Sequence, residues 1–520
     1  MYPLNRVLER AAAYFPHRIA VVDGERRMSY RVLADRVHRL AGALLSLGLG
    51  RGDRVAILDW NSHRYLEAYY ACAHANLAFM PVNSRLAPRE LRYVLQDSDA
   101  RAILFSEPFR PLYEEVAKGA AGLSHAIGLA LPQRPAGVLD YEALLAEARP
   151  LAVPEPADAG EIAQIYYTSG TTGEPKGVCL THGNMYAGGL DGVVALAMTR
   201  EDSWLHAGPL FHLATSFAVW ALPIVGGTQH VIHFEPKRAI ELIARERVTM
   251  TSLPGAILPM VADMPETRAA DISSLRRIVY GGSPTPMGVL RKAAAALPPA
   301  LNHVYGITET AGFATSLAPA DHVFDGSEAQ LRRAASAGQA TPFIDVRVVD
   351  DDGRVVPAGA VGEIVCGGPK IMSGYWRKPE ATAAALRHGW YHTGDMGALD
   401  GEGFLTLVDR KKDMIISGGE NVYSIEVESV ISMHPGVAEV AVIGVPDERW
   451  GEAVTAIVVP RPGSEPSAED LAGFCRGKIA GYKIPKSFEF RTEPLPKTGP
   501  GKIAKRVLRD PRWSGLGRKI

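Results

Sequence analysis

Cysteine is scarce in this chain. Four occur in 520 residues, Cys72, Cys179, Cys366 and Cys475, and none forms a Cys-x-x-Cys pair. That spacing argues against a disulfide framework or a thiolate metal site and for reduced thiols in a cytoplasmic protein. Excess charge is also missing: the formal net charge is −1, with 22% charged residues. Nothing here attracts the chain to nucleic acid or an anionic membrane surface. Long apolar runs are absent too. "FAVWALPIVGG" is short and carries a proline, well below the ~20 residues of a membrane helix, and "MYPLNRVLERAAAYFPHR" has no apolar signal core. No Gly-x-x-x-x-Gly-Lys-Ser/Thr loop and no Gly-x-Gly-x-x-Gly after a strand occur either. These absences leave a soluble, cytoplasmic protein without an integral membrane segment.

What is present begins with length. A chain of 520 residues exceeds one core and needs two or three folding units. Near the start, Val21–Val22 and Met28–Tyr30 flank an Asp-Gly pair, which predicts a hairpin. Ser29 suits an N-cap. Leu33, Val37, Leu40, Ala41, Leu44 and Leu45 repeat at helical spacing, and Gly48 suits the end of that helix. "RVAIL", "RAILF", "HVIHF" and "RRIVYGG" alternate with helical stretches to about residue 310, an α/β pattern with a largely parallel sheet. From about 335 the period becomes two, predicting a β-rich subdomain over 335–408. From "VDRKKDMII" onward a helix ("SIEVESVISMH"), two strands and a helix ("AEDLAGFCRGKI") read as a small α+β unit. The expected division is 1–408 and 409–520.

"YYTSGTTGEPKG", residues 166–177, concentrates small and hydroxylated residues before one lysine. Gly170, Gly173 and Gly177 permit close backbone approach, Thr168, Ser169, Thr171 and Thr172 offer hydroxyls, and Lys176 adds charge. By composition the stretch is equally a flexible turn or a polyphosphate loop.

The whole set of motifs resembles the adenylate-forming superfamily of acyl-CoA synthetases, aryl-CoA ligases, luciferases and adenylation domains. Besides the loop, "PLFH" at 209–212, "YGG" at 280–282, "YGITET" at 305–310, "YHTGD" at 391–395, "DRKKDMIISGGENVYSIEVE" at 409–428 and "PKTGPGK" at 496–502 follow in order. The resemblance implies a large N-terminal domain of parallel-rich sheets and helices with a β-rich subdomain, and a small mobile C-terminal domain. It implies ATP, Mg²⁺ and CoA as cofactor and co-substrates. The reaction it implies joins a carboxylic acid to AMP, releasing pyrophosphate, then passes the acyl group to a thiol.

It also implies roles. Glu309, with Thr168, would hold the metal. Thr168–Gly173, Lys176, Gly281, Gly282, Ser283, Tyr305, Gly306 and Thr308 would surround ATP, Tyr305 offering a face to adenine. Asp395 and Arg410 would take the ribose. His212 would stand between acyl pocket and α-phosphate. Lys502 would neutralise charge during adenylation, then leave as the small domain rotates about Asp409. Ser417, Gly418 and Gly419 would line the CoA tunnel. Ser424 departs from the proline common in relatives.

For the acyl pocket, "LATSFAVWALPIV" after His212 contains no charged residue. It offers no partner to an α-ammonium or a second carboxylate, which disfavours amino acids and dicarboxylates. Ala214, Ala218 and Gly282 would line the pocket. Small residues there favour a medium- or long-chain fatty acid, with an aryl acid of the cinnamate or benzoate type next. No carrier domain follows the motifs, so free CoA is the expected acceptor; loading of a separate carrier protein remains open, as does a homodimer. A nucleotide sensor that has lost catalysis should lack Glu309 or Lys502, and both are present.

Overall fold

The computed structural model describes residues 2–120, 122–168, 175–253, 257–282, 285, 287–410, 413–417, 420–447, 449–497 and 503–513. Two large sheets organise the first three quarters of the chain. One, nine-stranded among the described residues, has a parallel centre of Leu301–Ile307, Arg277–Gly281, Met250–Ser252, Ser203–His206, Thr228–Val231 and Ile19–Asp23. The other, eight-stranded, is parallel from Ile162–Thr168 through Ala78–Pro81, Arg54–Leu58, Ala100–Ser106 and His125–Leu129 to Val138–Asp140. Each sheet is antiparallel at the end that carries a motif hairpin, and the nine-stranded one is antiparallel also at its other edge, where Arg26–Ser29 pairs with Ile19–Asp23. Lys176–Thr181 pairs against Ile162–Thr168, and Gly312–Leu317 against Leu301–Ile307. Each of these hairpins carries a motif of the site in its turn.

The expected N-terminal elements form. Ile19–Asp23 and Arg26–Ser29 pair around Gly24, whose φ is +58°. Ser29 Oγ accepts from Val32 N–H at the start of helix Tyr30–Ser46. Leu33, Val37, Leu40, Ala41 and Leu44 are buried on its inner face, and Gly48, at φ +82°, closes it by donating to the Leu45 carbonyl. The run "FAVWALPIVGG" belongs to helix Leu213–Val225, apolar on every side because it is buried on nearly every side. Helix His182–Ala195 crosses it closely. A Cβ on Gly192 would stand 2.8 Å from the Phe217 ring.

Strands Asp345–Val349, Gly362–Gly367, Trp390–Leu399 and Leu405–Arg410 make the core of a third, antiparallel sheet. A fourth sheet is built on the long hairpin Val437–Asp447 and Gly451–Pro460, covered by helix Ser424–Ser432. One expected helix is shorter than its sequence pattern. It ends at Cys475, because Arg476 is extended and Gly477 turns at φ +75°.

A buried ion pair ties these parts together. Lys370, 1% exposed, reaches Asp191, which is fully buried, and donates also to the Phe313 carbonyl. Asp191 accepts further bonds from Thr341 Oγ1 at 2.6 Å and Phe343 N–H at 3.2 Å. Burial depresses the Lys370 ammonium pKa, and Asp191 opposes that shift. Removing one partner strands the other charge. Asp191→Ala should therefore lower unfolding free energy by about 3–5 kcal/mol in denaturant melts. A loss below about 1 kcal/mol would show the pair to be dispensable.

Candidate active site

The base of the glycine-rich loop is set by register. Thr168 and Lys176 are cross-strand partners, so the ends of the loop meet. Ser169, Gly170, Thr171, Thr172 and Gly173 lie outside the described residues. Lys176 Nζ sits 5.1 Å from the centroid of the Tyr375 ring. Tyr375 Oη in turn donates to Glu309 Oε1 at 2.9 Å. Lys176, Tyr375 and Glu309 thus converge beside the loop. Gly177 has a packing reason to be glycine: its Cβ would lie 2.9 Å from Ile165 and 3.2 Å from Trp376.

Glu309 belongs to a single 3-10 turn, Thr308–Thr310, at the end of strand Leu301–Ile307. Thr310 Oγ1 accepts from Ile307 N–H, Ala311 takes φ +47°, and the Glu309 carbonyl accepts from Met372 N–H at 2.9 Å. Burial, then the Glu309 charge, pushes the Tyr375 and Tyr391 phenols above their ordinary range. Both remain O–H donors at any physiological pH. Neither tyrosine was among the expected site residues.

Four residues before Glu309, on the same strand, Tyr305 Oη donates to Asp395 Oδ2 at 2.9 Å. Burial and then Asp395 raise this phenol as well. The expected open face for adenine is largely covered. Tyr305 is 8% exposed and packs with Ala314, Ile344 and Ile364. What it contributes here is a fixed hydroxyl on Asp395. Asp395 stands across from Arg410 in the register of Trp390–Leu399 and Leu405–Arg410, the two residues expected at a ribose.

The glycines divide by cause. A Cβ on Gly281 would lie 2.1 Å from the Val304 carbonyl, and on Gly306 2.3 Å from the Gly312 carbonyl. Strand packing requires both. Gly282 has φ +78° with open space where a Cβ would be, so its backbone is presented to the site without obstruction. Ser283 lies outside the described residues.

His212 is the N-cap of helix Leu213–Val225, its ring 4.4 Å from that of Phe211. Ala214, the second residue of that helix, is exposed. Ala218 differs from the expectation. It is fully buried, in one cluster with Trp204, Phe217, Ala221 and Phe313.

Residues 8–376 match the model for the "AMP-binding enzyme" family and residues 426–502 that for the "AMP-binding enzyme C-terminal domain". The chain belongs to the AMP-binding, adenylate-forming superfamily. Within it, the chain is an AMP-forming acid–thiol ligase of the acyl-CoA synthetase kind. It is 41% identical over 504 residues to a feruloyl-CoA synthase of Amycolatopsis, covering 96% of this chain and 97% of that one. It is 37% identical over 491 residues to the long-chain-fatty-acid–CoA ligase FadD13 of Mycobacterium tuberculosis, covering 93% of each. The crystal structure of ATP-bound MatB from Rhodopseudomonas palustris superposes with a TM-score of 0.87 at 30% identity, covering 98% of this chain and 99% of that one.

In this superfamily member the junction between the third and fourth sheets is built around Asp409. It ends strand Leu405–Arg410, is 4% exposed, and accepts from both the backbone N–H and the Oγ (2.7 Å) of Ser424. Its carboxylate thereby holds the first residue of helix Ser424–Ser432. A proline at 424 would supply neither donor, so the serine that departs from the common pattern has a local purpose. Lys505 Nζ continues the network, donating to Ser424 Oγ at 2.5 Å and pairing with Glu428 at 2.7 Å. Burial lowers the ammonium pKa of Lys505, but Glu428, Asp409 and Asp413 outweigh it and raise the net value.

Lys497 and Ile503 form a β-bridge that closes the segment holding Lys502, which itself lies outside the described residues. Ser417 is buried, paired to Glu420 and Gly451; Gly418, Gly419 and the Arg410 side chain are likewise outside. Asp409→Ala removes the acceptor for two donors. Amide exchange at the first turn of helix Ser424–Ser432 should accelerate by at least about tenfold, since such a bond to a charged group contributes about 1.5–3 kcal/mol. Unchanged protection there would mean that Asp409 does not secure the joint.

Proposed function

We propose that this protein is an ATP-dependent CoA ligase for an aryl carboxylic acid, working through an acyl-adenylate. The observation that carries the adenylate chemistry is the hairpin bearing both Tyr305 and Glu309. It sets the partner of Asp395 and the acidic turn four residues apart, beside the Thr168–Lys176 loop base.

In this reading Asp395 accepts from the ribose hydroxyls while Tyr305 keeps its carboxylate oriented. Lys176 and the loop N–H groups bind the phosphates. Glu309 with the Thr168 hydroxyl offers oxygen donors suited to a hard cation, and Mg²⁺ held there would screen the phosphate charge. Lys502 stabilises charge as the acid's carboxylate oxygen forms its bond to the α-phosphorus and pyrophosphate leaves. His212 stands at the mouth of the apolar helix, where the carboxylate would enter. In the second half-reaction the CoA sulfur forms its bond to the acyl carbon, and AMP leaves.

Two considerations favour an aryl acid over the long alkyl chain that sequence reasoning ranked first. Ala218, expected to extend the pocket, is fully buried in one cluster with Phe217 and Phe313, whereas Ala214 of the same helix is exposed. Support also comes from the feruloyl-CoA synthase at 41% identity, against 37% for the fatty-acid ligase.

The test is kcat/KM, read as AMP and thioester, for cinnamate- and benzoate-type acids against straight-chain acids. The aryl acids should be preferred, and Ala214→Leu should reduce their kcat/KM by roughly tenfold or more by crowding the ring. Ala218→Leu should act through stability instead, costing about 1–3 kcal/mol from overpacking without altering the order of substrates. A wild-type preference for long-chain acids, or a chain-length change in the Ala218 variant, would restore the fatty-acid reading.

A further inference from the structure

Away from this site, three helices bring two imidazoles and a carboxylate to one point. Glu9 lies on Arg6–Tyr14, His38 on Tyr30–Ser46, and His74 is the last residue of His63–His74. His38 Nε2 is 2.8 Å and His74 Nδ1 3.3 Å from the same atom, Glu9 Oε1. The rings are 4.6 Å apart at 31°, and one donor atom from each residue lies within 4.8 Å of the others.

The backbone of Leu151 bonds the His74 ring and the His38 main chain. Its carbonyl accepts from His74 Nε2 at 2.7 Å, and its N–H donates to the His38 carbonyl at 2.9 Å. A carbonyl can only accept, so the His74 proton is on Nε2. In the neutral ring, Nδ1 then aims a lone pair at the carboxylate oxygen. Two acceptors at that separation repel unless a cation or a second proton lies between them.

We propose that Glu9, His38 and His74 form a binding site for a divalent transition ion of the zinc class. Two imidazole nitrogens and one carboxylate oxygen are borderline donors that such ions take with an open fourth position for water. Metal–ligand distances near 2.0–2.2 Å in tetrahedral geometry separate ligand atoms by about 3.3–3.5 Å. The His74–Glu9 separation of 3.3 Å meets that edge as it stands. The 2.8 Å His38–Glu9 contact opens by about half an ångström through a small rotation of either side chain. The carbonyl of Leu151 on the far nitrogen of His74 is the outer-shell arrangement that fixes a metal-ligating imidazole. A bound ion would staple these three helices together.

The four cysteines are buried and should not compete for the ion. The test titrates Zn²⁺ alone into the tag-free, chelator-treated full chain without nucleotide. One equivalent should bind, with affinity at least about a hundredfold weaker in Glu9→Gln and His38→Gln. His388→Gln, at an exposed position, should match wild type. Because a core variant can lose its fold, the Zn K-edge absorption of the wild-type complex gives an independent reading. Two imidazoles and a carboxylate oxygen are expected in the coordination shell. No stoichiometric binding, equal affinity in the Glu9 variant, or a shell without two imidazoles would each overturn the proposal and leave a proton as the only cation shared by these groups.

Discussion

A carboxylate beside a polyphosphate is a liability unless its position is fixed. At about 4 Å two like charges cost about 1 kcal/mol in water and about 4 kcal/mol at the effective dielectric of a protein surface. Glu309 is the carboxylate proposed for that position and Asp395 the one proposed at the ribose, and each receives a hydrogen bond from a tyrosine hydroxyl, of Tyr375 and Tyr305 respectively. Both phenols are driven upward by burial and by the carboxylate itself. Each tyrosine therefore remains a donor. The remaining architecture serves to place these two pairs.

Placement follows from the way both large sheets end. A parallel sheet needs crossovers, whereas an antiparallel pair can be joined by a short turn. At one antiparallel end of each sheet the hairpin lies at the site: the loop between Thr168 and Lys176, and the turn bearing Glu309. The short strand Gly374–Tyr375 pairs onto Lys176–Thr181 and delivers the tyrosine that joins the two hairpins. Asp409, at the end of another sheet, grips the first residue of the small domain's helix, and Lys505 anchors the segment following Lys502 to the same serine. The joint and Lys505 thus share one hydrogen-bond network.

Much of this was legible in the sequence. The Asp-Gly turn, the Ser29 cap and the alternation of apolar strands with helices are local signals, and they gave the N-terminal elements and fold class. Glu309, Asp395 and Lys176 were marked by their motifs. Tyr375 was not, because its significance comes from a strand pairing almost 200 residues distant from the Thr168–Lys176 loop. The glycines at 177, 281 and 306 were read as ligand contacts. Their cause is the close approach of neighbouring residues, which spacing cannot reveal. Ala218, expected at the pocket, is fully buried: an apolar helix buried on nearly every side has no periodicity to say which side faces a pocket.

The most direct measurement is acid-dependent exchange of labelled pyrophosphate into ATP, with CoA absent, in the wild type and in Lys502→Ala. The wild type should exchange only when a cognate carboxylic acid is present. The variant should lose that exchange by about two orders of magnitude or more, yet still convert supplied acyl-adenylate and CoA to thioester and AMP. Exchange without acid, or equal loss of both half-reactions in the variant, would contradict the account.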